Sequence, residues 1–301
     1  MEDPGSAACR SAAFNWLQAQ LAKDHDTLPR AVLEQGFPFR NLVVRLVGPQ
    51  GIFKPKEISY YPLSITTTTN SPYKDSFDSN GDFLLYSYRG TDPEFHENRR
   101  LRDAMRDRIP LIYFYGTVPD RYLAVFPVFI VGDDPGNLQF TVAADDPIQL
   151  RYERNDTDDR VRRGYVTRQV KQRMHQRSFR DRVLRAYEER CSVCRLRHSS
   201  LLDAAHIVPD REEYGEPIVS NGLSLCKIHH AAFDNYYFGI RPDYRIVVRP
   251  EIMTESDGPM LKHGLQEIDD SHLTVPRRVK SRPDPERLRN RFDSFAESVG
   301  L

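Results

Sequence analysis

Two short knuckles carry the strongest chemical signal in this sequence. Cys191-Ser-Val-Cys194 and Cys226-Lys-Ile-His229 stand with 31 residues between them. Each can present two soft or imidazole ligands from a tight turn, and together they close a tetrahedral zinc site. A redox role for Cys191 and Cys194 would require a βαβ setting of thioredoxin type, and the basic segment leading into the motif offers none. A four-ligand site is closed, so this metal supplies folding energy rather than chemistry. Cys9 stands alone and reads as a buried or idle thiol. Between the knuckles lies LLDAAHIVP, in which His206 is followed by Ile207, Val208 and Pro209. That places His206 at the end of a short apolar strand, where a neutral imidazole can take a proton from water because its reference pKa lies near neutrality. Asn221, just before Gly222, suits a helix cap.

The order His206, Asn221, His230, threaded through the paired knuckles, resembles the HNH or ββα-metal nuclease family over about sixty residues. The strand end AHI-P, the segment NGL-LC at an expected helix start, and HH-x3-D carry the likeness. The resemblance implies two strands and one helix gripping a catalytic divalent ion, with His206 as general base and Asn221 bracing its loop through backbone hydrogen bonds. His230 and Asp234 are four residues apart, so on a helix they share one face and reach one ion. His229 points about a quarter turn away, toward the zinc. Where many members of the family carry a further ligand just before the base, this chain has Ala205. Asp203, on the same strand face as Ala205, is the candidate substitute. A His and carboxylate set suits Mg2+ or Mn2+. The implied reaction is in-line attack of activated water on phosphorus, leaving 5′ phosphate and 3′ hydroxyl.

Several elements must position these groups. Helical spacing of Phe14, Leu17 and Leu21 predicts a helix over 6–23, and a short helix follows near Pro29. NLVVRLVG, PLSITTTT, DFLLYSY, PLIYFYG, YLAVFPVFIVG and LQFTVAA read as strands, bounded by Pro, Gly, Asn and Asp. A charged helix from Glu94, with Leu101 and Met105 on one face, interrupts them. The expected division is 1–146 for the first domain, 147–190 for a linker and basic helix with Val183, Leu184 and Tyr187 available for packing, 191–250 for the nuclease module, and 251–301 for a partly helical tail.

The segment SPYKDSFDSNGDFLLYSYRGTD, then Asn98 and Leu101, then PLIYFYG resembles a divergent SRA domain over roughly residues 40–135. That family binds a flipped modified cytosine. The resemblance implies that Tyr73 and Tyr88 stack on the base and that Asp75 or Asp78 accepts from its exocyclic amine. The fold class expected is therefore α+β: an N-terminal SRA-like curved β-sheet or open barrel with helices, then a zinc-stapled ββα-metal (HNH) module.

The formal net charge of the 301 residues is zero, which conceals a strong asymmetry. Residues 133–159 carry eight acidic side chains against Arg151 and Arg154, whereas 160–190 carry eleven Lys or Arg. Arg162, Arg163, Lys171 and Arg173 are the candidates for contacts to DNA phosphates. The combined reading is an SRA-HNH restriction endonuclease acting on double-stranded DNA with 5-methyl- or 5-hydroxymethylcytosine, as a homodimer at least on DNA. One alternative is an HNH nuclease of mobile-element, repair or toxin type with another target; a second is a non-catalytic zinc module that binds DNA. The start, MEDPGSAACR, lacks the basic and apolar regions of a signal peptide and no run of about 18 apolar residues follows, so the expectation is a cytoplasmic protein without a membrane anchor.

Overall fold

The computed structural model describes residues 2–23, 27–69, 76–78, 83–145, 156–256 and 258–300, and of residues 156–162 and 165 the backbone only. The chain forms two compact units, Met1–Arg177 and Ser178–Leu301.

The first unit runs α1 (Pro4–Leu21), β1 (Leu28–Pro29), α2 (Arg30–Gln35), β2 (Phe37–Phe39), β3 (Leu42–Val44), β4 (Ile52–Phe53), β5 (Ser64–Thr67), β6 (Ser76–Phe77), β7 (Leu84–Ser87), α3 (His96–Arg106), β8 (Leu111–Val118), β9 (Arg121–Asp134), β10 (Gln139–Ala144) and the first part of α4 (Asp156–Ala186). All six segments expected to be strands contain one. Among the described residues the main sheet has eight strands in the order β4-β5-β8-β9-β10-β7-β6, with β1 also paired to β9. It is mixed: β5 and β8 are parallel and the other pairs are antiparallel. PLIYFYG is apolar almost throughout because both faces of β8 are covered. Ile112 and Phe114 meet Cys9, Ala13 and Leu17 of α1 in one core. Leu111 and Tyr113 meet Leu101 and Ala104 of α3 and Val170 and Met174 of α4 in another. Asn98, fully buried, accepts from the Arg89 N–H and donates to the carbonyls of Arg89 and Asp92, which pins α3 to the turn after β7.

In the second unit the last turns of α4 lead to β11 (Leu202–His206), β12 (Gly222–Cys226), α5 (Lys227–Asp234), β13 (Phe238–Ile240), β14 (Ile246–Val248), α6 (Pro250–Thr254), α7 (Pro259–Gly264) and α8 (Pro285–Val299). The segment NGLSLC is strand β12, not a helix start. Its Leu-Ser-Leu alternation has the two-residue period of a strand, Leu223 and Leu225 enter the core, and the helix begins only after Cys226. β11 and β12 pair antiparallel, with His206 opposite Gly222 and Leu202 opposite Cys226.

Phe179, Val183, Leu184 and Tyr187 of α4 and its end pack onto this hairpin. A Cβ at Gly222 would lie 2.4 Å from Val183 Cγ2, so the glycine permits the close approach of helix to strand. The segment 251–301 is integral to the unit: Ile252, Ile268, Leu273 and Leu288 complete the same core, and Phe295 is fully buried. Among the described residues no helix is long and apolar enough to cross a membrane.

A Cβ at Gly239 would stand 2.4 Å from the Phe295 ring. Gly239→Ala should therefore cost about 1–3 kcal/mol through overpacking. Denaturant titration should show this as a lowered midpoint, partly recovered when Phe295→Leu is added.

Candidate active site and metal centre

The four knuckle residues converge. Cys191, Cys194, Cys226 and His229 place their ligand atoms within 4.8 Å of one another. Cys226 ends β12 and is the N-cap of α5, which puts His229 in the first turn of that helix. The Nδ1 of His229 lies 3.5 Å from Cys191 Sγ and 3.1 Å from Cys226 Sγ, and the sulfurs of Cys194 and Cys226 are 4.0 Å apart. Metal bonds of about 2.3 Å to sulfur and about 2.0 Å to nitrogen make tetrahedral edges of about 3.5–3.8 Å, so the donor set fits a divalent metal. The other nitrogen, Nε2, sits 2.8 Å from the Gly264 carbonyl, to which it can only donate, and this leaves the Nδ1 lone pair for the cluster. Burial opposes charge on His229, yet the sulfurs of Cys191 and Cys226 raise its pKa to about 10. Positive charge is wanted at that point, and a divalent cation supplies it in place of the proton.

His206 is the last residue of β11. Asn221, fully buried, holds the loop that follows it: its Oδ1 accepts from the Val208 N–H at 2.9 Å, and its Nδ2 donates to the Val208 carbonyl at 2.9 Å and the Glu216 carbonyl at 3.2 Å. Arg182 of α4 donates to the Pro217 carbonyl, and Arg287 of α8 pairs with Glu216, so the loop is fixed from several sides. Burial lowers the pKa of His206, assisted by His230, while Asp210 and Asp234 pull the other way.

On α5, His229 is buried and His230 half-buried, so one helix presents adjacent imidazoles to two places. Both nitrogens of His230 face carboxylates: Nε2 is 3.4 Å from Asp234 Oδ2 and Nδ1 is 3.6 Å from Asp203 Oδ2. Asp203 has other partners. Lys227 donates to its Oδ2 and the Arg180 Nε lies 3.6 Å from its Oδ1. Burial works against its ionisation, but Lys227, His230 and Arg180 together hold its pKa below the ordinary value. The expectation that Asp203 substitutes as a metal ligand meets this competition. The carboxylate is already neutralised by two cations, which suits it to orient His230. Arg291 secures the far end of α5, with its guanidinium 4.9 Å from the Phe233 ring, 4.3 Å from the Tyr236 ring, and donating to the Phe233 carbonyl. Spacing gave no hint of Arg180, Lys227 or Arg291, because each comes from a different turn or helix and acts through placement alone.

Residues 191–241 match the family model described as HNH endonuclease. This segment is an HNH module. Solved structures similar to the chain include a modification-dependent TagI restriction endonuclease, at 16% identity over 78% of this chain and 82% of that one, with a TM-score of 0.28. Another is the SRA domain of SUVH5 in complex with methylated CHH DNA, at 18% identity over 38% of this chain and 88% of that one, with a TM-score of 0.27. No curated protein matches the chain.

Outside the HNH module, two of the four residues expected to read a base, Asp78 and Tyr88, are among the described residues. Tyr73 and Asp75 lie outside the described residues. Tyr88 is a core residue, 1% exposed, with its ring 4.5 Å from that of Phe140 and its hydroxyl donating to Asp133, which Arg102 also engages. With no free face it cannot stack on a base in this conformation. Asp78 accepts from the Phe83 N–H and closes the β6–β7 turn. Arg163 is likewise committed, donating to the buried Asp145 at 2.9 Å and lying over Phe129. The side chain of Arg162 lies outside the described residues, Lys171 rests its Nζ on the Phe77 ring, and Arg173 is exposed.

Two outcomes follow. Cys226→Ser should lower the metal bound per chain and unfold the second unit, because ligand binding energy is also folding energy; metal analysis with a thermal melt measures both. Tyr88→Phe should cost about 1–3 kcal/mol of stability by leaving Asp133 short of a donor, with DNA affinity unchanged in a binding titration.

Proposed function

We propose that the chain is a metal-dependent DNA endonuclease of the HNH kind, stapled by structural zinc at Cys191, Cys194, Cys226 and His229. What carries this reading is the convergence of His206, its Asn221-braced loop and the His230–Asp234 pair on one ββα unit. His230 and Asp234 would hold the catalytic ion, Mg2+ or Mn2+, on the side of the imidazole that Lys227 and Arg180 leave open. Asp203 then orients His230 from Nδ1, as outer carboxylates commonly do for metal-bound histidines. A bound divalent ion supplies positive charge beside the phosphate oxygens.

His206, kept neutral by burial, takes the proton of a water in line with the scissile bond. The water oxygen forms the new bond to phosphorus as the bond to the 3′ oxygen breaks. One product keeps the 5′ phosphate, and the departing 3′ oxygen takes a proton from solvent. Asn221 holds the loop after His206 and so the reach of the base.

For the target, we propose double-stranded DNA with modified cytosine, read by residues 1–146 on the strength of their SRA-like sequence grammar, with two copies acting together on a duplex. Arg173 and Lys171 supply phosphate contacts. Burial of Tyr88 favours a second reading, an HNH nuclease whose first unit recognises a different DNA feature.

His206→Ala should abolish cleavage of plasmid DNA in Mn2+ while bound zinc and DNA affinity stay near wild type; more than a few percent of residual activity overturns the base assignment. A base acts deprotonated and burial lowers this pKa, so the rate should stay level on descending through the ordinary imidazole value of about 6.5 and fall only below it. Digestion of matched duplexes with and without 5-methyl- or 5-hydroxymethylcytosine separates the two targets, and equal cutting of all of them supports the second reading.

A further inference from the structure

Most catalytic bases are oriented by a third group that hydrogen-bonds their second nitrogen. His206 lacks that arrangement: its Nε2 is buried and has no hydrogen-bond partner among the described residues. What meets the imidazole instead is a face. The Phe179 ring of α4 lies 4.1 Å from it, centroid to centroid, at an interplanar angle of 16°. Gly222, the strand partner of His206, makes the seat, since a Cβ there would come within 3.0 Å of Phe179 Cζ and 2.4 Å of Val183 Cγ2. Phe179 is itself only 2% exposed and packed among Val183, Leu184 and Leu223, so its plane is fixed by the core.

We infer that Phe179 is the positioning residue of the general base, setting the imidazole plane by stacking where no hydrogen bond at Nε2 does so. The lone pair that accepts a proton lies in the ring plane. Rotation about the Cβ–Cγ bond swings that lone pair away from a water in line with phosphorus, and a flat ring pressed against the imidazole blocks the rotation. This rests on the nuclease reading above and adds to it a residue outside the family motif, on the helix that precedes the module. It also gives the glycine at 222 a purpose beyond close packing.

The test compares Phe179→Leu, which keeps much of the apolar volume but loses the flat face, with Phe179→Tyr, which keeps the face. Phe179→Met is the substitute if the leucine variant does not fold, because a thioether chain adapts to an irregular gap. Cleavage rates in saturating Mn2+ are measured with KM, zinc content and melting temperature, and the His206 ring protons are followed by NMR. Phe179→Leu should lower kcat about ten- to hundredfold, the scale of a base displaced by about 1 Å. KM and zinc content should not change, and the upfield ring-current shift of the His206 protons should be lost. Phe179→Tyr should retain both the shift and most of the rate. A folded leucine or methionine variant with wild-type kcat overturns the inference, as does equal impairment of the leucine and tyrosine variants. His206→Ala is run alongside. If the wild type does not cleave, the nuclease reading fails; if His206→Ala cleaves, His206 is not the base and the inference fails with that assignment. If His206→Ala is inactive while Phe179→Leu is unimpaired, only the role of Phe179 fails.

Discussion

Two five-residue strands and an eight-residue helix are too small to hold side chains in a fixed geometry by their own packing. Everything in the second unit answers that constraint. The Cys3His cluster ties the turn after α4 to the β12–α5 junction, Gly222 lets α4 settle on the hairpin, and residues from α6 to α8 close the remaining sides. Rigidity at His206 and His230 is imported from these neighbours, and little of it originates in the ββα unit.

One short helix serves two places at once through helical geometry. Adjacent residues diverge by about 100°, so His229 turns inward to the sulfurs while His230 turns outward to Asp203 and Asp234. Neutralisation is distributed in the same economical way. Lys227, the first residue of that helix, occupies Asp203 on one side, and Asp234 in its last turn stays 56% exposed with no Lys or Arg ion pair among the described residues.

How much was legible in the sequence follows from what spacing can encode. Ligand pairs with two residues between them, a His followed by an apolar run, and an i,i+4 His and Asp are local patterns; in the structure the knuckles converge, His206 ends β11, and His230 lies beside Asp234. For Tyr88 the sequence shows an aromatic but not the phase of its strand: Leu84, Tyr86 and Tyr88 are buried while Leu85 and Ser87 are half-buried, so the ring falls on the inward side, in the core shared with α3. The charge of Arg163 is counted along the chain, whereas in space Asp145, eighteen residues earlier, pairs with it. After residue 250 only α8 is periodic, with Leu288 and Phe295 on one face, whereas Ile252, Ile268 and Leu273 each fill a separate gap in the core.

The place of α8 bears on how this protein comes into being. Leu288 and Phe295 are buried, Arg291 closes the end of α5, and the Asp284 N–H donates to the Ser220 carbonyl beside Asn221. During translation, the stretch holding His206 through Asp234 leaves the ribosome well before these residues do. A nascent chain halted in between would own every motif residue and still lack the frame that aligns them. Completion of the core around the ββα unit therefore depends on the part of the chain that is made last.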